Sequence, residues 1–252
     1  MKIVIAIGCT LAAYASIIHA APASGRDETT QNTQQAAIET LERFLNSGRQ
    51  PPLVSYRARR VLTASTMGGA MSASLDAWTT LDPNGTFSFE VIRQEGSGLI
   101  RNRVLIAALE TEQRTRNQGE MVQSDLILAN YEFQVDRDAR DDGLAMIRLL
   151  PRRKTPMLLN GMATVRRQDG DIIRIDGSPS RLPSWWTRQV NIVRRYQRIA
   201  GVRVPIEMGS QADVRFAGKS TFSMTYEYES VNGRATDPAP NDASPSVRVS
   251  ER

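Results

Sequence analysis

The chain has 252 residues, 40% of them hydrophobic and 23% charged, and a formal net charge of +5 from 32 Lys and Arg against 27 Asp and Glu. It holds one histidine and one cysteine, so a disulfide framework and a structural Cys/His zinc site are both excluded. The length fits one domain, or one large all-β domain, and a body of this size needs no disulfide to fold.

Met1 and Lys2 open a signal-like segment: a positive start, an almost wholly apolar run from Ile3 to Ile18, and small residues at Ala20 and Ala21. This is the pattern of a cleavable secretory signal, and the run is shorter than the roughly 20 residues that span a bilayer. Cleavage after Ala20 is expected, giving an exported, periplasmic protein; Pro22 disfavours a cut one residue later. Ala6-Ile7-Gly8-Cys9 is the alternative, a lipid-anchored start at Cys9, but the apolar run before it is too short for a normal signal core. Removal of residues 1–20 takes away both Cys9 and His19. Ser-His-Asp and Cys-His catalysis, thiol redox chemistry and haem ligation through His or Cys are then excluded.

Residues 21–32 are small and polar and are expected to be flexible, and 234–252 (RATDPAPNDASPSVRVSER) read as a disordered tail. The folded domain is 33–233. It opens with a helix over 33–47, with Ala37, Leu41, Phe44 and Leu45 at helical spacing and Gly48, Pro51 and Pro52 as the stop. The period then falls to 2. Strands are expected over 53–63, 70–80 and 86–94, separated by Gly68-Gly69 and Asp82-Pro83-Asn84-Gly85. Residues 99–116 form an amphipathic helix with Ile100, Val104, Leu105 and Ala108 on one stripe. A loop or short helix leads to seven further strands near 130–136, 144–151, 157–167, 171–177, 187–199, 202–214 and 219–231. Their short Gly-marked turns favour antiparallel neighbours. The fold class is mainly β with covering helices, a single curved antiparallel sheet whose apolar side lies under the helices.

Few residues point to chemistry. Asp136–Gly143 carries four acids but has the spacing of a solvated hairpin turn and lacks the alternation of a calcium loop. No Ser-x-x-Lys exists, since Lys154 and Lys219 are the lysines left after the signal. Arginines cluster at 57–60, at 152–154 with Lys154, and at 194–198. On strands these split between two faces and read as outer-face solubility and edge protection, or as a docking face for an acidic partner or anionic headgroups. Trp185-Trp186, after Pro183, is either a core plug or an apolar lip at a cavity mouth.

From Tyr131 onward the chain resembles the outer-membrane lipoprotein-sorting and lipoprotein-carrier group, the LolA/LolB-like proteins. The residues that carry the resemblance are Tyr131-Glu132-Phe133, Leu150-Pro151-Arg152-Arg153-Lys154, Gly161, Asp176-Gly177-Ser178-Pro179, Pro183-Ser184-Trp185-Trp186-Thr187, Arg195-Tyr196-Gln197, Val204-Pro205, Tyr226-Glu227-Tyr228 and Asn232-Gly233. The resemblance implies an incompletely closed antiparallel β-barrel with a helical lid over an apolar cavity. It also implies a carrier of lipid acyl chains or lipoproteins, or, in related proteins, an envelope-stress sensor.

The expected function is therefore non-catalytic holding of an apolar ligand in the periplasm, with no cofactor and no metal. The alternative is an envelope protein-interaction module on the same sheet, and an enzyme using carboxylates is a third reading with no acid pair to support it. Candidate ligand-contacting residues are Phe87, Phe89, Val91, Phe222, Met224 and Tyr226 on the wall, Ile100, Val104 and Leu105 on the lid, and Trp185 and Trp186 at the mouth. Expected partners are lipid or lipoprotein, with an envelope protein and peripheral membrane contact left open and nucleic acid excluded by the export signal.

Overall fold

The computed structural model describes residues 26–47, 51–119, 125–136, 143–182, 184–185, 187–215 and 218–236. Helix α1 is Arg26–Ser47. It begins inside the segment expected to be flexible and extends the expected helix by seven residues, because no glycine or proline interrupts 26–47. Strands β1 (Tyr56–Thr66), β2 (Met71–Leu81) and β3 (Phe87–Gly96) follow as a meander. Helix α2 spans 98–117 and has three parts: an opening turn Gly98–Ile100, a π-helical stretch Arg101–Ile106, and an α-helical stretch Ala107–Asn117. The second block is β4 (Tyr131–Val135), β5 (Leu144–Pro151), β6 (Leu159–Arg166), β7 (Ile172–Pro179), β8 (Thr187–Ile199), β9 (Val202–Val214) and β10 (Gly218–Val231). A two-residue β11, Arg234–Ala235, pairs with β10 and falls where the disordered tail was expected to start. Residues 137–142, most of the acidic run, lie outside the described residues.

The strands form one antiparallel sheet in the order β3-β2-β1-β10-β9-β8-β7-β6-β5-β4. β3 and β4 are its two ends and do not pair with each other, so the sheet stays open. Pairing of β1 with β10 joins the two sequence blocks across the middle. The turns after β1, β3, β5, β7 and β9 fall at one end of the strands, and those after β2, β4, β6, β8 and β10 at the other.

Alternation sets the faces. In β5, Ala145, Ile147 and Leu149 are buried while Met146 and Arg148 are exposed, the period-2 pattern of a sheet covered on one side. Register carries one inner row across eight strands: Ile147, Ala163, Ile175, Arg194, Met208, Met224, Leu62 and Leu75. Both helices cover this face, and each makes its own core. Phe44, Leu41 and Leu45 of α1 pack on Tyr131, Phe133, Ile147, Leu149, Val165, Ile172 and Ile175. Ile100, Leu105 and Leu109 of α2 pack on Leu62, Ala64, Leu75, Ala77 and Met224.

Two close approaches depend on glycine. A Cβ on Gly161 would stand 2.0 Å from the Asp176 carbonyl oxygen, so β6 and β7 meet there too tightly for any side chain. Gly170, at φ +71°, lies in the β6–β7 turn, where a Cβ would sit 2.3 Å from the Arg43 carbonyl carbon. That turn presses directly on the backbone of α1 and fixes the helix over this half of the sheet.

Candidate functional site

The predicted wall and lid residues are brought together, but as a packed core. Phe87 and Leu105 are fully buried, Ile100 and Met224 nearly so, and Phe89, Phe222 and Tyr226 pack partly buried around them. Val104 differs from expectation and is 40% exposed. The π-helical stretch inserts an extra residue into the turn, so the apolar stripe runs Ile100, Leu105, Leu109 and skips position 104. Val91 is exposed on the end strand. Trp185 is 71% exposed, as a rim position and not a core plug, and Trp186 lies outside the described residues.

The same phase of α2 aims Glu112 at the sheet. There it meets Arg60, at 2.6 Å, and Arg116 of its own helix, at 2.8 Å. Arg60 belongs to a cluster read as outer-face solubility, but only Arg57 and Arg59 point outward, to Glu229 and to Asp76 and Glu227. Arg60 shares the phase of Ala58, Leu62 and Ala64 and is 1% exposed. It donates to the Tyr56 hydroxyl and lies 4.6 Å from the Tyr226 ring centroid and 5.2 Å from that of Phe87. Burial opposes the charge on Arg60, but Glu112 and the two tyrosines outweigh it and hold its pKa above the ordinary value. Burial likewise opposes ionised Glu112, and Arg60 and Arg116 together bring its pKa below the ordinary value. Burial pushes the Tyr226 hydroxyl up to about 12, so the phenol is neutral. The cluster is a buried ion pair in an aromatic box, in which Arg60 Nε has no hydrogen-bond partner among the described residues.

Open space lies in the other half. A cavity of about 440 Å³ is bounded by Phe44, Leu45, Asn46 and Ser47 at the end of α1, by Leu126, Ile127 and Leu128, and by Ile172 and Arg203. A second, of about 230 Å³, shares Leu126, Ile172 and Arg203 and continues along Tyr131, Leu149, Met157, Leu159, Ile175, Arg194 and Tyr196. None of the ten predicted contact residues that are described lines either one. The volume of the larger falls within the range of small-molecule pockets, and its lining is mostly apolar with a few polar groups. Arg203 is held by Asp171 at 3.3 Å, which also takes Arg198 at 2.9 Å. Arg194 sits in the apolar row, and among the described residues no acid lies within ion-pair distance of it and its Nε has no hydrogen-bond partner. Its position could have been found in the sequence from the alternation Ile192, Arg194, Tyr196, whereas the cavity depends on where α1 and 125–130 settle. Among the described residues no group of three or more His, Cys, Asp or Glu is placed to hold a metal.

No family model matches the chain, and no curated protein does. Solved structures with a similar fold include a DUF1329 family protein from Desulfovibrio piger, at 11% identity over 78% of this chain and 90% of that one, TM-score 0.38. A LolA superfamily protein from Nitrosomonas europaea is similar at 11% identity over 75% and 90%, TM-score 0.36. An outer membrane lipoprotein-sorting protein domain from Vibrio parahaemolyticus is similar at 10% identity over 79% and 94%, TM-score 0.41. The last two are of the group that the sequence resembles. The likeness is one of overall fold and says nothing of ligand or activity.

Proposed function

We propose that this is an exported, periplasmic binding or carrier protein for an acyl chain or similar apolar ligand, of the lipoprotein-sorting type, which holds its ligand without converting it. The observation that carries the reading is the pair of adjoining cavities, the larger mainly apolar and the smaller mixed, between the end of α1, the 125–130 segment and the inner face of β5–β8. Leu45, Leu126, Ile127, Leu128 and Ile172 offer the apolar wall, and Arg194 and Arg203 offer a cationic end for a ligand with a polar head. The expected loss of the chain's histidine and cysteine with the signal supports holding over catalysis. Native mass spectrometry of protein purified from its own envelope should show co-purifying lipid, and a fluorescent fatty acid should bind and be displaced by that lipid. Repeated recovery of lipid-free protein that ignores the fluorescent probe would sink the reading.

A second reading, an envelope protein-interaction module, is favoured by β3. This end strand has an open hydrogen-bonding edge and exposes Val91 and Ile92, a template on which a partner strand can add. Crosslinking from β3 in cells that captures nothing above a charge-matched control would remove it.

A further inference from the structure

Five exposed apolar side chains and a group of basic ones gather at one corner of the sheet, at the end where β5 and β7 finish. Three connections meet there. Arg152 N–H donates to the Asn130 carbonyl at 2.9 Å, and Arg152 Nε donates to the Leu128 carbonyl at 2.8 Å. Ser180 N–H donates to the Leu158 carbonyl at 2.7 Å, and the Thr155 N–H donates to Ser180 Oγ at 2.9 Å. Segments 125–130, 152–158 and the described residues of 180–188 (180–182, 184–185 and 187–188) are thereby tied into one surface. It exposes Trp185 at 71%, Leu128 at 56%, and Ile127, Leu182 and Met157 at 37–41%. It also exposes Arg152, Arg153, Lys154, Arg181 and Arg188, against a single described acid, Asp125. Among the described residues Arg152, Lys154, Arg181 and Arg188 have no acidic partner. At the opposite end of the strands the exposed large apolar side chains include Val54 and Met146, and the turns carry Asp82, Asp136, Asp169 and Asp171 with Arg167 and Arg234.

We propose that this corner docks the protein peripherally onto an anionic lipid bilayer, with Lys154, Arg181 and Arg188 against the headgroups and Trp185, Leu182 and Leu128 seated at the interface. The mixture fits that occupant. A bilayer surface offers diffuse negative charge over a shallow apolar layer, and tryptophan with its polar edge suits the boundary between them. Apolar side chains gathered among cations are a poor match for water, where exposed apolar groups are usually scattered singly. No described helix is long and apolar enough to cross a membrane, so the contact is interfacial. Both cavities reach this corner, the larger at Ile127 and Leu128 and the smaller at Met157 and Leu159, but docking stands whether or not either holds a ligand.

Flotation with vesicles tests it, using protein purified after export with its N-terminus confirmed by mass. Vesicles of equal phosphatidylglycerol and phosphatidylcholine should carry the protein up, and phosphatidylcholine alone should not. Binding should weaken as salt rises from about 0.01 to 0.15 M and the screening length falls from about 30 to 8 Å. The triple change Lys154→Gln, Arg181→Gln, Arg188→Gln should weaken it about a hundredfold, roughly fivefold per charge. Trp185→Ser should weaken it at unchanged charge. All four side chains are exposed, so the fold is not at stake. The control Arg57→Gln, Arg93→Gln, Arg234→Gln removes the same charge elsewhere and should leave binding within a few-fold. Equal binding to both vesicle types, or an equal loss in the control, would overturn the proposal. So would capture by soluble polyglutamate with vesicles ignored, which would assign the corner to an acidic protein.

Discussion

The two halves of the sheet are built from the same alternating strands and are covered by one helix each, yet one is solid and the other is hollow. Under α2, Ile100, Leu105 and Leu109 lie flush on β1, β2 and β10, and the space beside them is filled by Arg60, Glu112 and the surrounding rings. Under α1, contact among the described side chains is made through Leu41, Phe44 and Leu45, and the cavities open beside them. The difference lies in the helices. The π-helical stretch re-phases α2 so that each successive turn drops a large side chain, Ile100, Leu105 and Leu109, onto the sheet. α1 is mostly polar, and its end is fixed by close contact with the β6–β7 turn at Gly170. A packed half stabilises, and a half with space left over can take a ligand.

The most disruptive change should be in the packed half. Glu112→Ala strands the Arg60 charge in an aromatic box and should cost about 3–5 kcal/mol in denaturant unfolding. Arg60→Met should cost clearly less, because Glu112 remains partly exposed and keeps Arg116. Equal losses would show that the cluster acts by packing alone. In the hollow half, Gly161→Ala forces β6 and β7 apart and should cost about 1–3 kcal/mol, with a ligand-binding loss that Glu112→Gln does not share.

Acid should separate the halves next. The pKa of Glu112 is lower in the folded protein than its ordinary 4.5. Its contribution is therefore complete above about pH 5 and drains away as pH falls through the folded value. Stability measured against pH should fall more steeply below about pH 4.5 in the wild type than in Glu112→Gln. Cavity changes should act on ligand with little effect on stability. Leu126→Trp fills the space shared by both cavities and should weaken fluorescent fatty acid binding roughly tenfold. Arg194→Gln should have the smallest effect, a few-fold for an acid-headed ligand and none for its methyl ester.

Much of the sheet was legible. The seven strands after Tyr131 fall within two residues of expectation at nearly every boundary, because β5 and β10 alternate cleanly and Gly170, Gly201 and Gly218 mark turns that only glycine makes easily. The phase of Arg60 could be read from Ala58, Leu62 and Ala64, but its being an arginine argued for the surface. Only a partner 52 residues away, Glu112, makes that burial tolerable. Val104 was misplaced for a similar reason. A regular 3.6-residue period puts it on the apolar stripe, and the π-helical stretch that removes it leaves no mark in composition.

The sequence by itself determined the antiparallel sheet, its one-sided apolar face and the amphipathic helix after β3. These follow from local periodicity and turn chemistry, which each segment carries on its own. Which half would be filled and which left open was decided by the tertiary structure. Packing depends on how two helices with different phase and different standoff meet a common surface, and no single segment holds that information. The corner where Trp185 meets Lys154 and Arg181 is of the same kind: three connections far apart in the chain become one surface only when β5, β6, β7 and β8 pair.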